Sequence, residues 1–498
     1  MRQVLDIKRL NSKTIYFVIT GLFFIFIVTF FTLFISANPV SSLTYLLAFL
    51  LFSICSIPIL IHVRIKTFDL LEPIYIVLVL YFLYFGIRTV FILLSPPYIS
   101  TAPNLDTVSD MNIINLALLY TIVGIIFMII GYYSRLPAVI CKVIPRIKFI
   151  WNERKAIKRI YILYFIGLFI RLFIIQQGLL VRFGVRKVPV VLVNIMQIFA
   201  QIPLYAYALY AVYFFSVKGR RPSIILGLII LFSEVGFAFM SGWKGNFIIL
   251  MFILLIAYHY GLHKIRIRSV LIPLIVVLLI VFPLVNTYRY IYPILVQKEN
   301  VSILNVRGFF RVTAAVLERM KEYSLMEYIA FSFGGFINRF AGIDSLSVTI
   351  KRTPEAMNFQ YGRTISWLFL WPIPRVIFPN KPNLSFGGVF GVKYWGWPEE
   401  PWHGSAAITQ IGEFYLNFHL IGIILGMFLS GIIYRLAYLY FIKKGIVDKR
   451  ISVFLYSFAF VHLLRIESNI AMAYAGLLQA VLFGLVIAWF LNVRIRWR

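Results

Sequence analysis

The sequence predicts an all-α polytopic membrane protein of about twelve transmembrane helices with one large external loop, and three observations predict it. First, 61% of the 498 residues are hydrophobic and 17% aromatic, with a mean hydropathy of +0.90. That is more apolar surface than a soluble core of this length buries. Second, mostly apolar stretches of roughly 18 to 25 residues recur, starting near residues 14, 41, 71, 111, 159, 188, 223, 245, 269, 409, 450 and 470. Third, the 48 Lys and Arg behind the net charge of +30 sit in short clusters between those stretches. A nucleic-acid binder gathers its basic residues on a soluble face, so the pattern follows the positive-inside rule and argues against nucleic acid as a partner.

Taken in order, the first apolar run, "TIYFVITGLFFIFIVTFFTLF", is longer than a signal-peptide core and lacks a small-x-small cleavage site after it, so it reads as a retained anchor. Under strict alternation of spans, the N-terminal "MRQVLDIKRLNSK", the loops "HVRIKTFD", "SRLPAVICKVIPRIKFIWNERKAIKR", "VKGRRPS", "HKIRIRS" and "KKGIVDKR", and the tail "RIRWR" all fall on one side. All are basic, which makes that side the cytoplasm and places both termini there. The opposite-side loop "SPPYISTAPNLDTVSD" carries no Lys or Arg. Cys55 lies in an apolar run and Cys141 beside a basic cluster, so neither a disulfide nor a metal framework is expected. The expected organisation is an N-terminal bundle of about nine helices over residues 1–287, a large external region at 288–408, and a C-terminal bundle of about three helices over 409–498. No internal repeat is apparent, which disfavours transporter folds built from two related halves.

Ionisable residues in spans are expensive and tend to line a cavity or pathway. Arg88, Arg171, Arg289 and Arg465 fall toward the outer ends of their helices, and Arg182, Arg186, Lys187 and Lys244 fall in short outer loops. Together they predict a cationic outer collar. Guanidinium groups suit phosphate because they donate forked, charge-assisted hydrogen bonds and stay protonated when partly desolvated. The competing reading is snorkelling to lipid headgroups. Asn194, Gln197 and Gln201 share one helical face at i, i+3 and i+7, where they either line a wet cavity or bond between helices. Glu234 is expected to pair with an arginine rather than to do chemistry.

The external region opens with "NVRGFFRVTAAVLERMKEYS", in which Phe309, Val312, Val316 and Met320 recur at helical spacing with Arg307, Arg311, Glu318 and Glu322 on other faces. This predicts an amphipathic helix on the membrane or on the bundle. "FSFGGFINRFAGIDSLSVTI" is short of a full span and predicts a re-entrant or surface helix, with Arg339 and Asp344 free to pair. In "WLFLWPIPRVIFPNKP", Pro372 and Pro374 end any helix, and rigid turns hold Arg375 and Lys381 in place. Charges held this way need little reorganisation when substrate charge develops. "GVKYWGWPEEPWHGS" interleaves Tyr394, Trp395, Trp397 and Trp402 with Glu399, Glu400 and His403, a mixture suited to sugar rings or to an interfacial aromatic belt. At the start of the tenth span Gln410, Glu413 and Asn417 fall at i, i+3 and i+7. That spacing turns Glu413 toward the cavity, and Glu413 and His403 are the two candidates for general base.

The order of a long external loop, "NRFAGIDSL", "IPRVIFPNKP" and "TQIGEFYLNFHLIG" resembles the bacterial oligosaccharide repeat-unit polymerases of the O-antigen polymerase (Wzy) type. The resemblance covers the whole architecture, with its motifs in the second half. It implies a multi-spanning, GT-C-like glycosyltransferase on the outer face of a bacterial inner membrane. Such an enzyme polymerises undecaprenyl-pyrophosphate-linked repeat units into an O-antigen, capsule or exopolysaccharide, with a flippase and a chain-length regulator as partners besides membrane lipids. It also implies that Arg289, Arg339 and Arg375 engage the pyrophosphate. O-antigen ligases are similar in using a loop histidine followed by a glycine, which His403 and Gly412 approximate at shorter spacing. The lipid pyrophosphate is already an activated leaving group, so neither a nucleotide loop nor a cofactor or metal is expected, and arginines take the place of Mg²⁺. A ligase-like lipid-sugar transferase, a lipid-linked oligosaccharide flippase and a scaffolding subunit remain as alternatives.

Overall fold

The computed structural model describes residues 39–94, 110–145, 147–150, 153–176, 196, 199–216, 223–261, 265, 277–299, 306–324, 327, 334, 336–370, 373, 378, 386–399, 405–444, 448–491 and 494–497. Among these, six helices are long and apolar enough to cross a membrane: Val40–Arg64, Pro73–Leu94, Met111–Tyr133, Lys244–Gly261, Gln410–Lys443 and Ala471–Phe490. Ile202–Ser216 and Ile224–Met240 are shorter apolar helices. The chain is a helical membrane protein. The span expected near residue 14, and most of the one near 188, lie outside the described residues.

Two compact units form, each from stretches far apart in sequence. The first comprises Met1–Ile144, Ile337–Lys444 and His462–Ala480, and the second Pro145–Phe336, Gly445–Val461 and Val481–Arg498.

In the first unit, Gln410–Tyr438 is two helices rather than one. The chain breaks at Phe418 (φ −141°, ψ 29°) and His419 (φ 54°, ψ −144°), and the arms fold back on each other. Tyr434 donates its hydroxyl to Gln410 Oε1 at 3.2 Å, although a straight helix would hold residues 24 apart at about 36 Å. Gly422 and Gly426 admit the returning arm, since a Cβ on either would strike Phe414. These two glycines and Ser430 face inward, while Ile421, Leu425 and Leu429 stay exposed on the face left for lipid. The same small-residue logic brings the second arm against Met111–Tyr133, where a Cβ on Gly131 or Gly431 would meet the opposing backbone.

At one end of this unit Arg435 donates to Glu72 at 2.5 Å, Tyr132 donates to the same carboxylate, and Tyr438 donates to Asp69 at 2.8 Å. These contacts gather the residues after Val40–Arg64 and the ends of Met111–Tyr133 and Gln410–Lys443 at one place. For Gly342–Arg352, of the two expected forms, re-entrant or surface, the surface one is not what is found. The helix is buried from Gly342 to Ile350, so it is an interior helix and not a surface one. Its polar residues tolerate burial because Ser345 and Thr349 donate to Ala341 and Ser345 carbonyls at 3.0 and 2.7 Å, and Asp344 has a cation, described below.

In the second unit, Val306–Lys321 is the expected amphipathic helix. Val312 and Val316 pack on Tyr288, Tyr292 and Leu295, and Arg307, Arg311, Glu318 and Glu322 are exposed. The Phe309 side chain lies outside the described residues. Strands Ile147–Ile150 and Arg494–Trp497 pair antiparallel with Ile147 opposite Trp497.

Candidate functional site

The first unit concentrates charge where three segments meet the helix Pro73–Leu94. A π-helical turn at Phe82–Ile87 interrupts that helix, a distortion frequent at functional sites. Arg88 follows the turn, about 24 Å along the axis from Glu72 and so toward the opposite end of the unit from the Glu72–Arg435 pair.

Arg88 is closed by its own partners. Its Nε and Nη2 donate to Asp344 Oδ2 at 3.0 and 2.7 Å, and Nη1 donates to Asn338 Oδ1 at 2.9 Å. The alternative in which Arg339 and Asp344 pair with each other is not found: Asp344 serves Arg88, and Arg339, half-exposed, pairs with Glu467. Tyr84 donates to the other Glu467 oxygen at 2.8 Å. Arg339, next in the chain to Arg88's partner Asn338, thus binds Glu467, which Tyr84 also engages.

Arg465 lies two residues before Glu467 and is half-buried. Its guanidinium makes no hydrogen bond among the described residues; it lies near enough to Glu467 to feel its charge, while the hydrogen bonds of that carboxylate go to Arg339 and Tyr84. The segment carrying it is fastened to the hairpin. Thr409 and Gln410 donate backbone N–H groups to the carbonyls of Glu467 and Ile466 at 3.2 and 3.0 Å, and Ile470 N–H donates to Glu413 Oε2 at 2.5 Å.

Gln410, Glu413 and Asn417 do share one face, yet all three are fully buried instead of lining an open cavity. Asn417 accepts from Gly362 N–H at 2.9 Å and donates to Thr364 and to the Glu413 carbonyl at 2.7 and 2.8 Å. Glu413 Oε1 has no partner among the described residues. Trp395 is buried at 7% exposure and Tyr394 completely, so neither offers a sugar an open face; Trp397 is half-buried over Gly391.

In the second unit, Glu234 pairs with Arg171 at 2.5 Å, as expected, and Arg289 donates to the Gly242 carbonyl at 2.6 Å. Gln201 is exposed and Lys244 half-buried. Arg375, Lys381, His403, Trp402, Asn194, Gln197, Arg182, Arg186 and Lys187 lie outside the described residues. No group of three or more His, Cys, Asp or Glu that could hold a metal occurs among the described residues.

Sequence reasoning did not single out Tyr84, Asn338 or Glu467. The available signal was the run "RIESN", a carboxylate two residues beyond a span-end arginine, and Tyr84 one helical turn before Arg88.

The profile of a domain of unknown function, DUF8712, matches residues 27–439. The chain belongs to the DUF8712 family. The DUF8712 match takes in Tyr84, Arg88, Arg339, Asp344 and Glu413 and ends before Arg465 and Glu467. No curated protein and no solved structure matches the chain.

Proposed function

We propose that this chain is a glycosyltransferase that polymerises undecaprenyl-pyrophosphate-linked oligosaccharide repeat units into a surface polysaccharide on the outer face of a bacterial inner membrane. The reading takes about twelve spans in a GT-C-like arrangement with both termini cytoplasmic. The observation that carries it is Arg465, a half-buried guanidinium without a hydrogen-bonding partner among the described residues, next to the Arg339–Glu467 pair. A partly desolvated guanidinium left open in this way fits a phosphate oxygen.

The step breaks the bond from the donor's anomeric carbon to the pyrophosphate oxygen, which leaves with the electron pair. A bond forms from that carbon to an acceptor hydroxyl, whose proton passes to a base; of the two candidates Glu413 is fully buried and closed to an acceptor, which leaves His403 for that role. Arginine charge stabilises the leaving pyrophosphate. The hairpin favours one second reading, a lipid-linked oligosaccharide flippase, because discontinuous helices also build transporter sites. A ligase-like transferase shares the chemistry and differs in acceptor.

The test is complementation of a deletion strain, with the surface glycan resolved on a gel. Single repeats in place of a ladder support polymerisation, and Arg465→Ala should reproduce them. Glycan left on its lipid carrier would identify a ligase, accumulation facing the cytoplasm a flippase, and an intact ladder in the deletion strain would exclude all three.

A further inference from the structure

The tip of the Gln410–Tyr438 hairpin is not explained by the arginine cluster. His419 holds φ 54° and ψ −144° there, a conformation that costs a residue bearing a side chain of order 1–3 kcal/mol and persists only where its neighbours over-determine it. Those neighbours are aromatic. The His419 ring centroid lies 4.9 Å from Tyr415, 5.9 Å from Phe359 and 6.0 Å from Tyr120, and Tyr361 extends the row at 6.5 Å from Phe359. Tyr415 is buried and forms the floor, Phe359 and Tyr120 are half-buried, and Tyr361 is 76% exposed.

The platform is fixed in place. Gln360 and Tyr361 donate their N–H groups to the last carbonyls of the first arm, Leu416 and Asn417, at 2.9 and 3.1 Å. Asn417 secures Gly362 and Thr364 behind them.

Its open face does not suit hydrocarbon. Residues 358–361 form irregular backbone, which does not occur against lipid. Asn358 and Arg363, neighbours of the ring-bearing segment in sequence, are exposed, and His419 is exposed among the rings. Aromatic faces bordered by an amide, an imidazole and a guanidinium complement a pyranose, which has apolar C–H faces and a rim of hydroxyls.

We infer that the hairpin tip is a carbohydrate subsite. One sugar ring of the glycan sits in the angle between Phe359 and Tyr361, whose planes are 54° apart, and His419 hydrogen-bonds a ring hydroxyl. This rests on the proposed action on glycans and adds where the sugar is held; no covalent step occurs at the subsite.

The test uses the full chain in nanodiscs and, as probe, oligosaccharides released by mild acid from the source cell's own surface glycan, free of lipid and pyrophosphate. Saturation-transfer NMR should show binding to the unmodified chain, weakened about tenfold by Phe359→Ala and by Tyr361→Ala. His419→Gly should raise the melting temperature by relieving the backbone and still weaken binding, whereas a purely structural histidine would give the thermal gain alone. The inference is overturned if the unmodified chain does not bind, or if all three variants bind as it does. It is equally overturned if a Tyr361→Trp emission is quenched by brominated lipid and untouched by the oligosaccharide. Loss of the ladder in Arg465→Ala together with any of these results would remove the subsite and leave the proposed function standing.

Discussion

Arg171 and Arg465 look alike in sequence, each an arginine near the end of an apolar stretch, and their surroundings differ completely. In the second unit Arg171 donates to Glu234 at 2.5 Å and to the Ala200 carbonyl at 3.0 Å, and its guanidinium carbon lies 4.2 Å from the centre of the Phe237 ring. Its Nε and Nη1 are both taken, and the side chain is buried. In the first unit the carboxylate nearest Arg465 along the chain is already bound by Arg339 and Tyr84. The comparison teaches that a membrane arginine is read by who holds its carboxylate, rather than by its depth.

The largest expected effect breaks the closed site. Arg171→Ala strands Glu234 in the interior and should cost about 3–5 kcal/mol, seen as lost folded yield in detergent, with much of it recovered when Glu234→Leu is added. Should Arg171→Ala remain as stable as the parent while abolishing the glycan, the two arginines have been assigned the wrong way round.

Next, Arg465→Ala should lower the proposed polymerising activity about a hundredfold, as loss of a charge-stabilising donor does, with an unchanged melting temperature. Arg465→Lys should recover part of the activity, since it restores charge without the fork. Equal thermal losses in Arg465→Ala and Arg171→Ala would erase the contrast.

Asn417→Ala removes the clamp under the hairpin and should cost about 1–3 kcal/mol, with faster amide exchange over residues 360–364 as the specific sign. The smallest effect concerns metal: EDTA should leave activity unchanged, and loss restored by Mg²⁺ would return the leaving-group role to an ion.

How much was legible follows from the range of the forces involved. The helix at 306–321 was readable because Val312 and Val316 recur at the period of a helix and face one neighbour. Pairing of Glu234 with an arginine was readable because a lone carboxylate in a span needs a cation. The hairpin was not, because hydropathy stays high through residues 410–443 and the break is held by bonds from Asn417 to Gly362 and Thr364, some 55 and 53 residues away. Likewise Asp344 passed over Arg339 for Arg88, 256 residues distant, a choice that only tertiary packing makes. Gly422, Gly426 and Ser430 were the local trace of close approach, a spacing that also serves ordinary helix contacts.

The bond from Ile470 to Glu413 also sets a timetable for biogenesis. Its partners are 57 residues apart, so at ordinary synthesis speeds the Glu413 carboxylate waits about 3–11 s for its donor to be made. The backbone N–H groups of Thr409 and Gln410 wait for the same stretch of chain. Until residue 470 arrives, the first arm can dock on Gly362, Thr364 and the second arm while the Glu413 carboxylate still lacks this donor, and the insertion machinery must shelter it. Slowing translation just after residue 413 lengthens that exposure, and a crosslinker placed on the first arm should then capture the insertase for longer.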